Sequence, residues 1–82
     1  MTTVIIIQSL ETFRDQAIKA KDSRSEWEKF VINLGNTMYS FESLLLTDLH
    51  TIWKSSMCAN EDLIILSLNL LINKYKKTLH DA

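Results

Sequence analysis

The residues of this sequence that could carry out chemistry are two histidines, one cysteine and a few carboxylates. His50 and His80 are too far apart for the i, i+4 spacing of paired histidines in a helical metal site. Cys58 stands just before the predicted start of a helix, where the helix N-terminus lowers the pKa of a thiol. The neighbouring carboxylates of Glu61 and Asp62 oppose that effect. We therefore interpret His50 as a residue of the helix surface or core edge and Cys58 as an unreactive thiol.

Glu26 and Glu28 are the remaining candidates for an acid–base pair. Residues two positions apart on a helix do not share a face, so these carboxylates cannot act together on one group. Helix capping explains them better. The only glycine, Gly35, also leaves no glycine-rich loop to hold a phosphate. The sequence thus predicts no catalytic, cofactor-binding or metal-binding residue, and a protein that is not an enzyme.

The composition favours a small all-α protein of the cytoplasm. The 82-residue chain has no proline and one glycine, so the usual turn residues of β-hairpins are missing. Nine basic and ten acidic residues give a net charge of −1, which disfavours general nucleic-acid binding. One cysteine cannot form an internal disulfide, and the aliphatic runs are far shorter than the ~20 residues of a membrane helix. We expect no membrane span, no signal peptide and a single domain over residues 1–82.

Two polar segments mark where the first helices begin. Thr2 or Thr3 suits the N-cap of a first helix over about residues 3–20, because a threonine hydroxyl accepts a backbone N–H bond there. Ser23 or Ser25 can begin the second helix, since a glutamate follows each serine three positions later. The short connector between the two helices predicts that they are antiparallel neighbours.

The longest helical pattern lies in the middle of the chain. Apolar residues recur there at spacings of three or four, as on one face of a helix, and they keep their phase across Gly35. We therefore predict one continuous helix over about residues 26–54, in which Gly35→Ala should be neutral or stabilising. We call this pattern the central stripe; its members are Trp27, Phe30, Val31, Leu34, Met38, Phe41, Leu45, Leu49 and Ile52.

The last predicted helix, over about residues 61–79, is apolar around most of its circumference. Acidic residues begin it and lysines lie near its end, which is the polarity that a helix dipole favours. Two neighbouring helices cannot bury apolar residues on every side. We therefore predict a three-helix antiparallel bundle with a long central helix. Its last helix either is wedged between the other two or carries a docking surface.

This surplus of apolar surface predicts binding to a larger protein partner, self-association, or both. We place the partner-binding residues at Leu66, Leu70 and Ile72, with Trp53 nearby. Tryptophan is enriched at binding hot spots, although Trp27 and Trp53 also suit the open ends of a helical core. The expected role is to inhibit, chaperone or adapt the partner. Small phage or mobile-element products such as immunity proteins, lysis regulators and defence inhibitors are of this size and class.

Two alternatives follow from other residues. Arg14, Lys19, Lys21 and Arg24 could line a phosphate-facing patch, which would make the protein a nucleic-acid-binding regulator. The aliphatic run Val4–Ile7 lies ahead of a serine-started helical pattern that contains Ser23, Trp27, Val31, Leu34 and Asn36. This arrangement resembles the small helical cofactor of coronavirus-type RNA polymerases. This resemblance covers under half of the chain, requires an insertion in the first connector, and implies a polymerase-binding cofactor.

Overall fold

The protein is all-helical over the residues that the computed structural model describes, 2–56 and 60–81, and these contain no β-strand. This confirms the predicted all-α class. The first and last predicted helices agree with the observed ones to within two residues at their ends. The helices are α1 (Thr3–Ala20), α2 (Arg24–Thr37), α3 (Ser43–Ser56) and α4 (Glu61–Asp81), with a 3-10 turn at Met38–Ser40 between α2 and α3.

Polar side chains begin three of these helices. Each accepts a hydrogen bond from the backbone N–H three residues later, which satisfies one donor that the first helical turn leaves unpaired. Of the two serines that could begin α2, the structure selects Ser23. The bonds join Thr2 to Ile5 at 3.4 Å, Ser23 to Glu26 at 3.4 Å and Asn60 to Leu63 at 3.1 Å.

The predicted continuous helix over 26–54 is wrong, because the chain leaves the α-helical path between Thr37 and Ser43. The Thr37 hydroxyl donates to the Asn33 carbonyl, a side-chain bond that bends helices. The N–H of Phe41 then donates to the Met38 carbonyl at 3.1 Å, and Phe41 itself is extended, with φ −94° and ψ 161°. Over the described residues the structure therefore has four α-helices in place of the predicted three. Gly35 lies inside α2 and does not cause the break.

Tertiary packing explains why the helix breaks at this point. A 30-residue helix would be about 45 Å long, whereas α1, with 18 residues, spans only about 27 Å. About 18 Å of the central stripe would then extend beyond α1. The reversal instead lets both halves face one core, and the Phe41 ring packs edge-on against Phe13 of α1, with 6.1 Å between ring centroids.

The four helices form a ring in the order α1, α2, α3, α4, with the most extensive packing between α4 and α1. Three side-chain contacts show that α1 and α4 run antiparallel. Positions that increase along α1 pair with positions that decrease along α4. The contacts are Glu11–Lys76 at 3.7 Å, Arg14–Asn69 at 3.4 Å and Lys21–Asp62 at 3.8 Å.

The core contains apolar side chains from all four helices and the 3-10 turn. Leu10, Leu34, Leu49 and Leu68 contribute one fully buried leucine from each helix. Most of the central stripe is also buried, so these residues belong to the core even though they lie on α2, the 3-10 turn and α3. The other buried apolar residues are Ile6, Ile7, Phe13, Ala17, Ala20, Trp27, Phe30, Met38, Leu45, Ile52, Ile64, Leu71 and Ile72.

Gly35 allows α2 and α3 to approach each other. A Cβ atom at this position would lie 2.9 Å from Nε1 and 3.1 Å from Cε2 of Trp53, closer than a Cβ atom packs against another heavy atom. Because the indole is a rigid ring, it cannot bend away as a flexible side chain would. The structure therefore reverses the expectation for Gly35→Ala, which rested on helix propensity alone.

We expect Gly35→Ala to lower the free energy of unfolding by about 1–3 kcal/mol, the usual range for overpacking a core. Urea denaturation of the variant measures this loss. In a Trp53→Leu background the side chain that faces position 35 is smaller than the indole. There the alanine should be neutral, or stabilising by up to about 1 kcal/mol, through its helix propensity. Equal effects of Gly35→Ala in the two backgrounds would show that the indole does not limit this position.

Candidate protein-binding surface

The helix α4 buries one face and exposes another. Its core-facing side chains at Ile64 and Leu68 are 1% and 0% exposed. On the opposite side, Leu63, Leu66 and Leu70 are 51%, 52% and 60% exposed. Spacings of three and four residues place these leucines in one row along the helix. We call these three residues the α4 outer face.

The structure separates the four residues that the sequence analysis proposed for partner binding. Leu66 and Leu70 share the outer face. Ile72 is only 2% exposed and belongs to the core, which corrects its placement on the exposed surface. Trp53 is partly buried, and its indole packs against Gly35 of α2 and near the ring of His50, at 5.8 Å between centroids. The structure thus brings two of the four together.

Two further residues extend this surface. Leu63 was absent from the proposed set, although its spacing from Leu66 and Leu70 indicates the same row. Ile18 of α1 is 45% exposed and lies between Arg14 and Lys21 on the side of α1 that contacts α4. The antiparallel register places Ile18 beside the first turns of α4, at the level of about residue 65 and beside the outer face. The sequence could not reveal this neighbour because it depends on how α1 and α4 pair.

A shallow groove of about 330 Å³ runs beside the outer face, between α3 and α4. Leu70 lines it together with Leu71 and Ile52, so the groove continues the apolar surface of the outer face. Lys74 and Asp48 are joined by a salt bridge of 3.3 Å and also line this groove. The candidate surface is therefore a row of leucines with an apolar groove and a charged pair on one side.

The four basic residues proposed for phosphate binding do not form one patch. Arg14 contacts Asp15 at 3.1 Å, and Lys21 contacts Asp62 at 3.8 Å. Arg24 contacts Glu28 at 3.6 Å. Lys19 instead lines a cleft between α1 and α2. A carboxylate therefore offsets the charge of three of these cations, and Lys19 lies on a different side of α1 from Arg14 and Lys21.

The remaining residues considered for chemistry lie apart from one another. Glu26 pairs with Lys29 at 3.3 Å and Glu28 with Arg24, so each glutamate has its own cation and they do not act as a pair. The described part of the chain contains no group of three or more His, Cys, Asp or Glu residues that could hold a metal ion. The interpretation of Cys58 lies outside the described residues.

Tyr75, at the packed side of α4, has a raised pKa. Burial is the main cause, and the negative charge of Asp48 adds to it, while Lys74 acts in the opposite direction. The folded state therefore binds the phenolic proton more tightly than the unfolded chain does. The stability that this contributes is complete below the usual pKa of 10.0 and is lost as the pH rises through the folded-state pKa.

We expect the protein to lose stability above pH 10 more steeply than its Tyr75→Phe variant does, because the variant has no phenol to ionise. Denaturation at several alkaline pH values measures the difference. Tyr39, which is 65% exposed, provides the control, and Tyr39→Phe should leave the pH dependence of the wild type nearly unchanged. Matching curves for wild type and Tyr75→Phe would contradict this assignment.

Comparisons with other proteins identify no relative. None of the described helices combines the length and hydrophobicity needed to cross a membrane. No protein-family model, curated protein or solved structure matches this chain.

Proposed function

We propose that the protein is a non-enzymatic binding protein that inhibits, chaperones or adapts one larger protein partner through the α4 outer face. The observation that carries this proposal is the row of half-exposed leucines in the first half of α4. An isolated exposed leucine is ordinary, whereas a contiguous row beside an apolar groove is typical of an interaction surface.

The spacing of this row suits a particular kind of partner. Leu63, Leu66 and Leu70 stand at positions i, i+3 and i+7, which is the spacing of the anchors that a helix inserts into a hydrophobic groove of another protein. Covering the exposed half of each leucine contributes about 1 kcal/mol to binding. Polar residues flank the row, because Asp62 pairs with Lys21 on one side and Lys74 with Asp48 on the other. An apolar centre with a polar rim is the usual organisation of a binding interface.

The roles of inhibitor, phage-type immunity protein or lysis regulator, and a cytoplasmic location, are part of this proposal. They rest on the small size, the net charge of −1 and the single cysteine. The alternative of a polymerase cofactor is also a protein-binding role, with a polymerase as the partner. Of the residues behind that resemblance, Trp27 and Leu34 are buried, so they serve the core and not a partner.

A nucleic-acid-binding regulator is the rival from a different class. The carboxylates beside Arg14, Lys21 and Arg24 disfavour it, because a protein that neutralises phosphates needs cations whose charge is available. Binding of this kind would weaken steeply with salt concentration, whereas binding through leucines would change little.

We expect Leu66→Asp and Leu70→Asp each to lower the affinity for the partner at least about 10-fold, because a carboxylate would be desolvated in the interface. Affinity capture from the native host, followed by titration of the purified partner, measures the loss. Leu44→Asp is the matched control: Leu44 is 83% exposed on α3, so its substitution should change neither binding nor stability. Ile72→Asp is unsuitable, since Ile72 is buried and a carboxylate there would destabilise the fold.

The capture experiment also separates the two classes of function. Capture of nucleic acid that moderate salt releases, and that Leu66→Asp leaves intact, would refute the protein-binding proposal. Equal loss of partner binding in Leu44→Asp and Leu66→Asp would likewise show that the outer face is not the site.

A further inference from the structure

The apolar residues of the central stripe keep the same helical phase before and after the chain reversal between α2 and α3. The observed fold does not require this common phase. Four residues of the stripe lie on α2 and three on α3, while Met38 and Phe41 lie in the segment between the two helices. In the closed ring each of these helices turns its apolar side to the core independently, so the stripes of α2 and α3 could differ by any angle. The common phase would place both stripes on one side only if α2 and α3 joined into a single helix.

The segment between the two helices, Met38–Glu42, can adopt such a helix. It contains neither glycine nor proline, and its residues Met38–Ser40 are already in a 3-10 turn. Phe41, with ψ 161°, is the extended residue at the C-cap of that turn. A change at a few residues would therefore join α2 to α3 in one helix over residues 24–56, about 50 Å long.

We propose that a second copy of this chain is a binding partner, in a domain-swapped dimer that forms when the segment Met38–Glu42 becomes helical. The α1–α2 hairpin of one copy then packs on the α3–α4 hairpin of the other. Two long helices run antiparallel, and the single-sided central stripe of each faces the partner copy. Two complete four-helix rings result, one at each end of the dimer.

The contacts of the monomer fit this arrangement. Glu11–Lys76, Arg14–Asn69 and Lys21–Asp62 all join the α1–α2 hairpin to the α3–α4 hairpin, so each can re-form between copies. Gly35 and Trp53, which touch in the monomer, are equally distant in sequence from Leu44. In two antiparallel helices related by a two-fold axis near that residue, Gly35 of one copy lies beside Trp53 of the other. The dimer thus keeps the close approach of α2 and α3.

Ser43→Pro tests the proposal, because position 43 differs in the two states. In the monomer it is the first residue of α3, where proline is well accommodated. In the joined helix it is an interior position, where proline removes a backbone hydrogen bond and clashes with the preceding turn. We expect the variant to keep the monomer's helix content and melting temperature. The association constant of its dimer should fall at least about 100-fold relative to wild type.

The measurement is sedimentation velocity after refolding at high protein concentration, which lets opened chains meet. Ser40→Ala, which raises helix propensity within the segment, should increase the dimer fraction. A mixing experiment identifies the swap itself. Arg14→Cys chains and Asn69→Cys chains, both carrying Cys58→Ser, are unfolded together and refolded. A short bis-maleimide should then link two different chains, since α1 of one lies against α4 of the other.

Three results would overturn the proposal. Wild type and Ser40→Ala could stay monomeric at all concentrations after refolding. A dimer could form equally well in Ser43→Pro. A dimer could also be lost in Leu66→Asp and kept in Ser43→Pro, which would show that the copies associate through the α4 outer face. The capture experiment would still test the proposed partner binding separately.

Discussion

The packing of α1 against α4 is the interaction on which the rest of the structure depends. It is the most extensive contact between helices, and it joins the first helix to the last. Neither the α1–α2 hairpin nor the α3–α4 hairpin has its core covered until this pairing forms. The entropic cost of closing so long a loop opposes this pairing. The free energy gained from all the apolar contacts between α1 and α4 must therefore exceed that cost. Stability is therefore shared by the whole ring and does not reside in either half.

Local signals in the sequence predicted the first and last helices and the start of α2. The serine and threonine caps act on nearby backbone groups, so their effect can be read without knowing the fold. The break at Phe41 could not be predicted in this way, because no glycine or proline marks it and the apolar spacing continues through it. The contact with Phe13 and the limited length of α1 favour the reversal, and both depend on how distant segments pair.

The candidate surface could be predicted only in part for the same reason. Apolar residues lie around most of α4, and a helical wheel does not show which arc the other helices cover. Leu66 and Leu70 remain exposed, whereas Ile72 is buried, although both arcs consist of aliphatic residues. Trp53 has the residue type of a binding hot spot, yet it fills the space that Gly35 leaves between α2 and α3. Residue type alone thus does not separate a core tryptophan from an interface tryptophan.

The pairing of α1 with α4 also determines when the protein can fold during its synthesis. About 60 residues separate the end of α1 from the end of α4. At roughly 5–20 residues per second, the ribosome needs about 3–12 s to add them. Throughout that interval the apolar side of α1 that α4 later covers stays in contact with water.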